Sequence, residues 1–241
     1  MKGYENITRN HLISRMPVIL RLDGKAFHTF TRGFGKPFDR VMVQSMQVTM
    51  KYLCEHIQGC VLGYTQSDEI TLVLVDYEKL NTCSWFDNNI QKMVSVAASM
   101  ATWKFIDAMS SFMYLSNQNN PSVYEAALNK GVAFDCRAFN VPREEVTNCV
   151  LWRQQDAIRN SKQSLGQAHF SHKELHGKST EDIVTMVKEK TGILWNNLPI
   201  EWQRGSCCIK DGEGHWFIDN NIPEFKGEGR EYIEKLINVG E

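Results

Sequence analysis

Polar and apolar positions alternate along this chain with a period that changes from stretch to stretch, and the changes mark its elements. Near the start, Val18-Ile19-Leu20-Arg21-Leu22 puts four apolar residues in five positions and ends in Asp23-Gly24. That is the pattern of a buried strand over 17–22 that turns sharply at its end. From Met42 through Met46, Met50, Leu53 and Ile57 the apolar spacing becomes three or four, which predicts a helix, with Asp39 as its N-cap. Two β-rich runs, 60–65 and 70–75, flank the short polar segment Gln66-Ser67-Asp68-Glu69 and predict a hairpin with Asp68 at its tip. Ile90, Met93, Val94, Ala97, Ala98, Ala101 and Phe105 fit one broad apolar face of a helix from about Asp87 to Phe112. A fourth strand is read over 131–139.

The resulting β-α-β-β-α-β order is that of a ferredoxin-like unit: an α+β fold with an open antiparallel sheet and helices on one face. Pro142-Arg143-Glu144-Glu145 opens a further helix running to about Arg159, with proline in the first turn and acids where the helix dipole favours them. A helix near 180–190 follows, and the short runs between Trp195 and Phe225 suggest another hairpin. Residues 1–140 are expected to carry the sheet, with 141–241 as a helical and hairpin extension packed on it in one compact body.

Composition changes this picture little. Of 241 residues 42% are hydrophobic and 23% charged, the balance of an ordinary globular protein. A net charge of −1 excludes an overall basic field, so any nucleic acid must be met by a local patch. No window approaches 18 consecutive apolar residues, and residues 1–6 lack the basic start and apolar core of a signal peptide. Seven cysteines without a Cys-x-x-Cys pair read as reduced core residues, and a cytoplasmic location is expected.

The candidate chemistry begins with Asp23. On its own, Asp-Gly after a strand is a turn signal and no more. In a ferredoxin-like sheet, however, the first strand and the central hairpin are neighbours, so Asp23 and Asp68 can converge. Two facing carboxylates suit Mg2+, a hard ion that takes oxygen ligands and is often held by one or two carboxylates plus substrate phosphates. Phosphoryl and nucleotidyl transfer use two such ions. The amides of residues 24–28 are placed to cradle a triphosphate, Lys25 and Lys36 to supply charge, and Phe27 and His28 to offer rings, although one of the two rings can equally point into the core. Other motifs are weaker. His169, His172 and His176 fit one helix face but lack a zincin glutamate. Gly177-Lys178-Ser179 lacks the upstream glycine and preceding strand of a phosphate loop, and Cys207-Cys208 reads as a strand pair on alternating faces.

Four motifs together carry a family resemblance: Arg21-Leu22-Asp23-Gly24-Lys25-Ala26-Phe27-His28, Gly35-Lys36-Pro37-Phe38-Asp39, Tyr64-Thr65-Gln66-Ser67-Asp68-Glu69 and Trp152-Arg153-Gln154-Gln155-Asp156. With Trp202-Gln203-Arg204-Gly205 and Ile222-Pro223-Glu224-Phe225 behind them, the chain resembles the tRNA-histidine guanylyltransferase superfamily, and in particular its Thg1-like branch of 3′-to-5′ RNA polymerases. The resemblance implies a polymerase-like palm in which Asp23, the Gly24 carbonyl and Asp68 hold two Mg2+ ions. It also implies a nucleoside triphosphate surrounded by Asp23, Gly24, Lys25, Ala26, Phe27, His28, Lys36, Ser67 and Asp68, with Asp23, Asp68 and Lys36 catalytic. ATP or GTP would activate a tRNA 5′-monophosphate, which the 3′-hydroxyl of the incoming nucleotide then attacks. RNA contacts are implied for Lys92, Arg153, Arg159, Asn160, Ser161, Lys178 and Arg204, and the assembly for a homotetramer.

One departure matters. Enzymes that prepare tRNA-histidine typically carry His-Ile-Asn-Asn where this chain has Ile158-Arg159-Asn160-Ser161, a version similar to the branch that repairs 5′-truncated tRNA by copying a template. Asn88 and Asn89 also stand where the family has arginines, although Lys92 is kept. The expected activity is therefore template-dependent 5′ repair. Addition of a single −1 guanylate, a palm-type nucleotide cyclase and a non-catalytic RNA-binding module are the alternatives.

Overall fold

The computed structural model describes residues 1–115 and 120–239. Residues 240 and 241, at the end of the expected extension, lie outside the described residues. The first half runs α1 (Lys2–Ile7), β1 (Val18–Gly24), α2 (Phe27–Phe30), α3 (Arg40–His56), β2 (Cys60–Gln66), β3 (Glu69–Leu74), α4 (Ile90–Phe112), α5 (Pro121–Leu128) and β4 (Phe134–Asn140). The second half runs α6 (Val146–His169), α7 (His172–Leu175), α8 (Thr180–Thr191), α9 (Ile200–Arg204), β5 (Ser206–Lys210), β6 (Trp216–Asp219) and α10 (Glu231–Ile237).

The six strands among the described residues join one antiparallel sheet in the order β4-β1-β3-β2-β5-β6. The first four have the order of a ferredoxin-like unit, as the sequence predicts. The second hairpin is not a separate module: Tyr64 of β2 pairs with Cys207 of β5, which extends the same sheet. Because side chains alternate across a strand, each strand feeds two cores. Leu20, Leu22, Ile70 and Leu72 face α3 and α4, where Met46, Met50, Ala97, Ala101 and Phe105 pack. Ile19, Leu62, Tyr64 and Val73 face the opposite way, under Val150 of α6 and Ile233 and Ile237 of α10. The two helices of the ferredoxin-like unit thus lie on one face, and the C-terminal extension covers part of the other. Cys208 belongs to the first core and Cys207 to the second, as alternation demands.

Local chemistry sets the boundaries. Asp39 caps α3 as expected, its carboxylate accepting from the Met42 amide. Helix α4 begins at Ile90, where its apolar pattern begins and three residues after the expected start near Asp87, because Phe86, Asp87 and Asn88 all lie at positive φ and Asn89 supplies the cap. Helix α6 runs ten residues past the expected end at Arg159. Gly166 lets it continue under α8, where a Cβ would sit 2.4 Å from Ile183. Among the described residues no helix is long and apolar enough to cross a membrane.

Candidate functional site

Strand β1 delivers Asp23 to the sheet edge between two acids: Glu69 of β3 and Asp135 of β4 are its direct cross-strand partners. Directly opposed residues share a face, so the three form an acidic row. The β2–β3 hairpin turns on Ser67 and Asp68 alone, with Ser67 held at φ 50°, a backbone region that non-glycine residues rarely adopt. The Gly24 amide donates to the Asp68 carbonyl at 3.0 Å, which ties the hairpin tip to the end of β1. The sequence-predicted convergence of Asp23 and Asp68 is thus built by backbone pairing.

The charges on these acids are treated differently. Glu69 is buried, which pushes its carboxyl up, but Arg153 donates to it at 2.7 Å and holds the charge. Burial also raises Asp68 and the neighbouring Asp23 charge adds to it, while Ser67 and His28 act against the shift. Asp23 is raised by burial and by Asp135, against Arg137, Arg21 and Arg153. Among the described residues neither Asp23 nor Asp68 makes an ion pair, and no group of three or more His, Cys, Asp or Glu converges as a ready-made metal cluster. Two half-buried carboxylates with no ion-pair partner among the described residues, offering only hard oxygen donors, fit Mg2+, which completes its shell with water and phosphate oxygens.

Beside Asp68 opens a cavity of about 400 Å³. One wall is the segment from Phe27 to Val43, with His28 and Lys36 exposed on it. The floor is Gln66-Ser67-Asp68, and the far wall comes from α6 (Ala157, Asn160, Ser161, Ser164) and α9 (Glu201 to Arg204). Phe38 and Trp202 stack across it with ring centroids 5.3 Å apart. Asp39 fixes the loop that carries Lys36, accepting from the Gly35 amide at 2.7 Å and from the Tyr124 hydroxyl at 2.9 Å.

The expected 24–28 cradle is only partly available. A Cβ on Gly24 would lie 2.4 Å from the Phe27 ring, so this glycine makes room for the fold's own aromatic. Phe27 is 3% exposed and packs on Phe30, Phe105 and Phe134, so the ring meant for a base or ribose is in the core. The Gly24 and Lys25 amides are taken by Asp68 and Ala133. Those of Ala26, Phe27 and His28 open α2, where first-turn amides have no intrahelical acceptor. Lys25 and Ala26 are exposed outside the cavity wall.

The residues expected to meet RNA scatter. Asn160, Ser161 and Arg204 line the cavity itself. Ser161 is held there by donating to the Trp202 carbonyl and accepting from the Trp195 indole, and Arg204 by donating to the Ile222 carbonyl. Arg153 is buried between Glu69 and Asp156, so its guanidinium is committed to the fold. Arg159 is exposed and pairs with Asp156. Lys92 sits thirteen residues before Phe105 on α4, roughly 20 Å along the helix from the Phe27 end, with its ammonium over the Phe86 ring. Lys178 is exposed between α7 and α8, where Gly177 turns at φ 75° and Ser179 forms a capping box with Asp182. The three histidines do not share a helix face: His169 ends α6, His172 opens α7 and His176 follows it. The Phe38–Trp202 stack, Ser164, Glu201 and Asp135 escaped the sequence reading as site residues. Only Phe38 and Trp202 had a signal, as members of motif segments; Ser164, Glu201 and Asp135 lie outside the motifs, and their neighbours come from distant parts of the chain.

Comparison with known proteins agrees with this architecture. The family model described as tRNAHis guanylyltransferase (Thg1) matches residues 1–142. An uncharacterised protein of Acanthamoeba polyphaga mimivirus is 30% identical over 206 residues, 79% of this chain and 68% of its own. The tRNA(His) guanylyltransferase of Schizosaccharomyces pombe is 26% identical over 224 residues, covering 88% of this chain and 79% of that protein. Among solved structures, a bacterial tRNA(His) guanylyltransferase (Thg1)-like protein in complex with ATP superposes with a TM-score of 0.88 and 41% identity, covering 99% of this chain and 98% of the other. The tRNA(His) guanylyltransferase of Saccharomyces cerevisiae shares the fold, with a TM-score of 0.68 and 19% identity over 86% of this chain and 92% of its own.

Proposed function

The chain belongs to the tRNAHis guanylyltransferase family, a family of nucleotidyltransferases, and from that premise we propose that it adds nucleotides in the 3′-to-5′ direction to tRNA 5′ ends, copying the opposite strand to repair truncated molecules. The single observation that carries the reading is the cavity: it joins the Asp68 turn, the His28–Lys36 segment and the Asn160–Ser161 turn of α6 around a space sized for one nucleotide. In the first step the 5′-monophosphate attacks the α-phosphate of ATP or GTP and pyrophosphate leaves; in the second the 3′-hydroxyl of an incoming nucleotide, losing its proton, attacks the former 5′-phosphate and the activating nucleoside monophosphate leaves. Solved relatives 41% and 39% identical to this chain are described as complexes with ATP and with GTP, which supports both as ligands.

Asp23, Asp68 and the Gly24 carbonyl are the groups that would hold two Mg2+ ions. Such ions supply an activated oxygen nucleophile and charge stabilisation at the leaving pyrophosphate. His28, Lys36 and Ser67 orient the triphosphate, the amides at the start of α2 face its oxygens, and the Phe38–Trp202 stack with Asn160 borders the base. Arg153 acts by holding Glu69 neutralised beside Asp68. Arg159, Lys92 and Lys178 meet the RNA backbone.

Repair is favoured over fixed −1 guanylylation by two facts. Ile158 and Arg159 replace the His-Ile of the guanylyltransferases, and the solved Thg1-like proteins are more similar to this chain than the curated guanylyltransferases are. The test is a set of 5′-truncated tRNAs carrying each of the four bases at the template position. The added base should follow the template. A guanylate added whatever the template would replace repair with −1 addition, and a cyclic product from GTP without RNA would mark a cyclase. We further place the assembly as a homotetramer in which tRNA spans subunits, supported by the resemblance and by Trp103 and Ile106, exposed on α4. A monomer mass in light scattering would overturn it.

A further inference from the structure

At the opposite end of the sheet from the acidic row, three segments border a small cavity of about 10 Å³. They are the entry to β1 at Met16, the exit from β3 at Val75 and Asp76, and the left-handed turn that ends at Asn88. Val18 pairs with Leu74 at this end and Asp23 with Glu69 at the other, about 17 Å away along the strand. Backbone bonds fasten the arm before β1 to the turn: the Leu12 amide donates to the Asn88 carbonyl at 2.9 Å, and the Ile90 amide to the Asn10 carbonyl at 3.0 Å.

Two residues lining this cavity each carry a buried polar atom with no hydrogen-bond partner among the described residues: Asp76 Oδ1 and Asn88 Nδ2, on residues only 7% and 2% exposed. The other Asp76 oxygen accepts from the Arg15 backbone amide at 3.0 Å, but among the described residues the carboxylate has no ion-pair partner. Arg143, which shares Tyr77 with Asp76 as a neighbour, gives its guanidinium to the Ile237 and Val239 carbonyls. Among the described residues no lysine, arginine or histidine lines the cavity. Buried charges are normally paired or coordinate a metal ion. The remaining polar side chains of the lining supply oxygen. Ser84 makes no capping bond with its hydroxyl, and Gln58 donates its amide nitrogen to the Cys83 carbonyl, which leaves its own carbonyl for another partner. A carboxamide has a donor end and an acceptor end, so a half-turn of Asn88 offers a fourth oxygen.

We propose that this cavity binds one potassium ion, stripped of its hydration water, between Asp76, Ser84, Gln58 and Asn88. Charge and size decide the class of ion. One carboxylate balances one positive charge, whereas a divalent ion would leave an excess charge buried. The cavity holds about one water-sized particle, and K+ is close to a water molecule in size. Mg2+ gives up its hydration water reluctantly, and Ca2+ takes about six to eight oxygens, more than the lining side chains offer. A lone water would satisfy the hydrogen-bonding groups but leave the charge on Asp76 unbalanced. Held there, the ion fastens the start of β1, the end of β3 and the turn that opens α4. Its place at the far end of the sheet from Asp23 and Asp68 makes it structural, with no part in nucleotidyl transfer, so it does not depend on which RNA the protein extends.

Thermal melts of the full-length protein in chelator test it, with chloride and ionic strength fixed and only the cation changed. K+ should raise the melting temperature by about 3 °C over tetramethylammonium, which is too large for the cavity, and the rise should saturate with concentration as binding to one site does. Asp76→Asn keeps an acceptor for the Arg15 amide and removes the charge, so it should melt alike in both salts. Asn88→Gly suits a backbone at φ 53° and removes the carboxamide, so about tenfold more K+ should be needed for the same rise. Asp68→Asn should keep the full rise, which separates this site from the acids at the other end of the sheet. Crystals grown with Tl+, a heavy stand-in for K+, should carry an anomalous peak beside Asp76. Equal melting of the parent in both salts, a rise that survives in Asp76→Asn, or a rise lost in Asp68→Asn would overturn the proposal. So would a crystal with a water bridging Asp76 and Asn88 and no thallium peak there. If Asp76→Asn does not fold, Asn88→Gly and the thallium peak decide between the same outcomes.

Discussion

Asp68 occupies the second position of a two-residue turn, half-buried, with its carboxyl raised first by burial and then by the charge on Asp23. Without a cation the fold therefore resists ionising it. An acid whose folded pKa is raised keeps its proton over a pH range in which the unfolded chain has already released it. Its contribution to stability is complete below the ordinary value of 3.8 and is lost as pH rises through the raised value. Asp68→Asn should thus melt above the parent at neutral pH in chelator, and the two should converge below pH 3.8. Added Mg2+ should raise the parent's melting temperature and leave the variant's unmoved, which calorimetric scans would read. The same substitution removes an oxygen from the site where charge develops, so its rate of 5′ extension should fall by about 3 kcal/mol in activation free energy or more, with RNA affinity retained. Near-parental extension would sink the metal-ligand role of Asp68.

Two contacts between elements position the site. Asp39 ends the Lys36 loop, caps α3 and accepts from the Tyr124 hydroxyl of α5 while only 6% exposed. Asp39→Ala removes a cap and leaves buried donors without an acceptor, so a loss of about 2–4 kcal/mol in chemical denaturation is expected. Nucleotide affinity should fall with it, because the loop loses its anchor. Asp39→Asn should recover part of the stability. The second contact is the Arg153–Glu69 pair, which locks α6 onto β3 with side chains 10% and 9% exposed. Arg153→Ala strands a buried carboxylate and should cost about 3–5 kcal/mol, whereas Arg153→Met with Glu69→Gln should return most of it. If the double variant is no more stable than the single one, the pair is not what joins these elements.

At the scale of the whole molecule the sheet does not stop where the ferredoxin-like unit does. Ile19, Leu62, Tyr64 and Val73 are fully or almost fully buried, and they are covered by α6, α10 and the segment carrying Ile222 and Phe225. Exposing each large apolar side chain costs roughly 1.5–3 kcal/mol. An unpaired β2 would also present an open edge of backbone donors and acceptors. Residues 1–140 expressed alone should therefore lack a cooperative thermal transition and associate through β2. A sharp reversible melt of that fragment in circular dichroism would show that the extension is an independent addition instead.

Much of this was legible in the chain itself. The run from Val18 to Gly24, the spacing from Met42 to Ile57 and the polar break at Ser67-Asp68 are local signals, because backbone period and turn chemistry act over a few residues, and they carried the four-strand order and the Asp23–Asp68 pair. Helix starts were less exact: nothing in the sequence marks three successive left-handed residues at Phe86 to Asn88. What only the tertiary structure decided are relations between residues far apart in sequence. Phe27 went to the core because Phe105 and Phe134 meet it there. Arg153 was withdrawn from solvent because Glu69 lies beneath α6, and Arg21 faced Arg137 because β1 and β4 pair in that register. A side chain's type limits the chemistry available to it, but its burial and its neighbours follow from packing between distant segments, which local pattern does not encode.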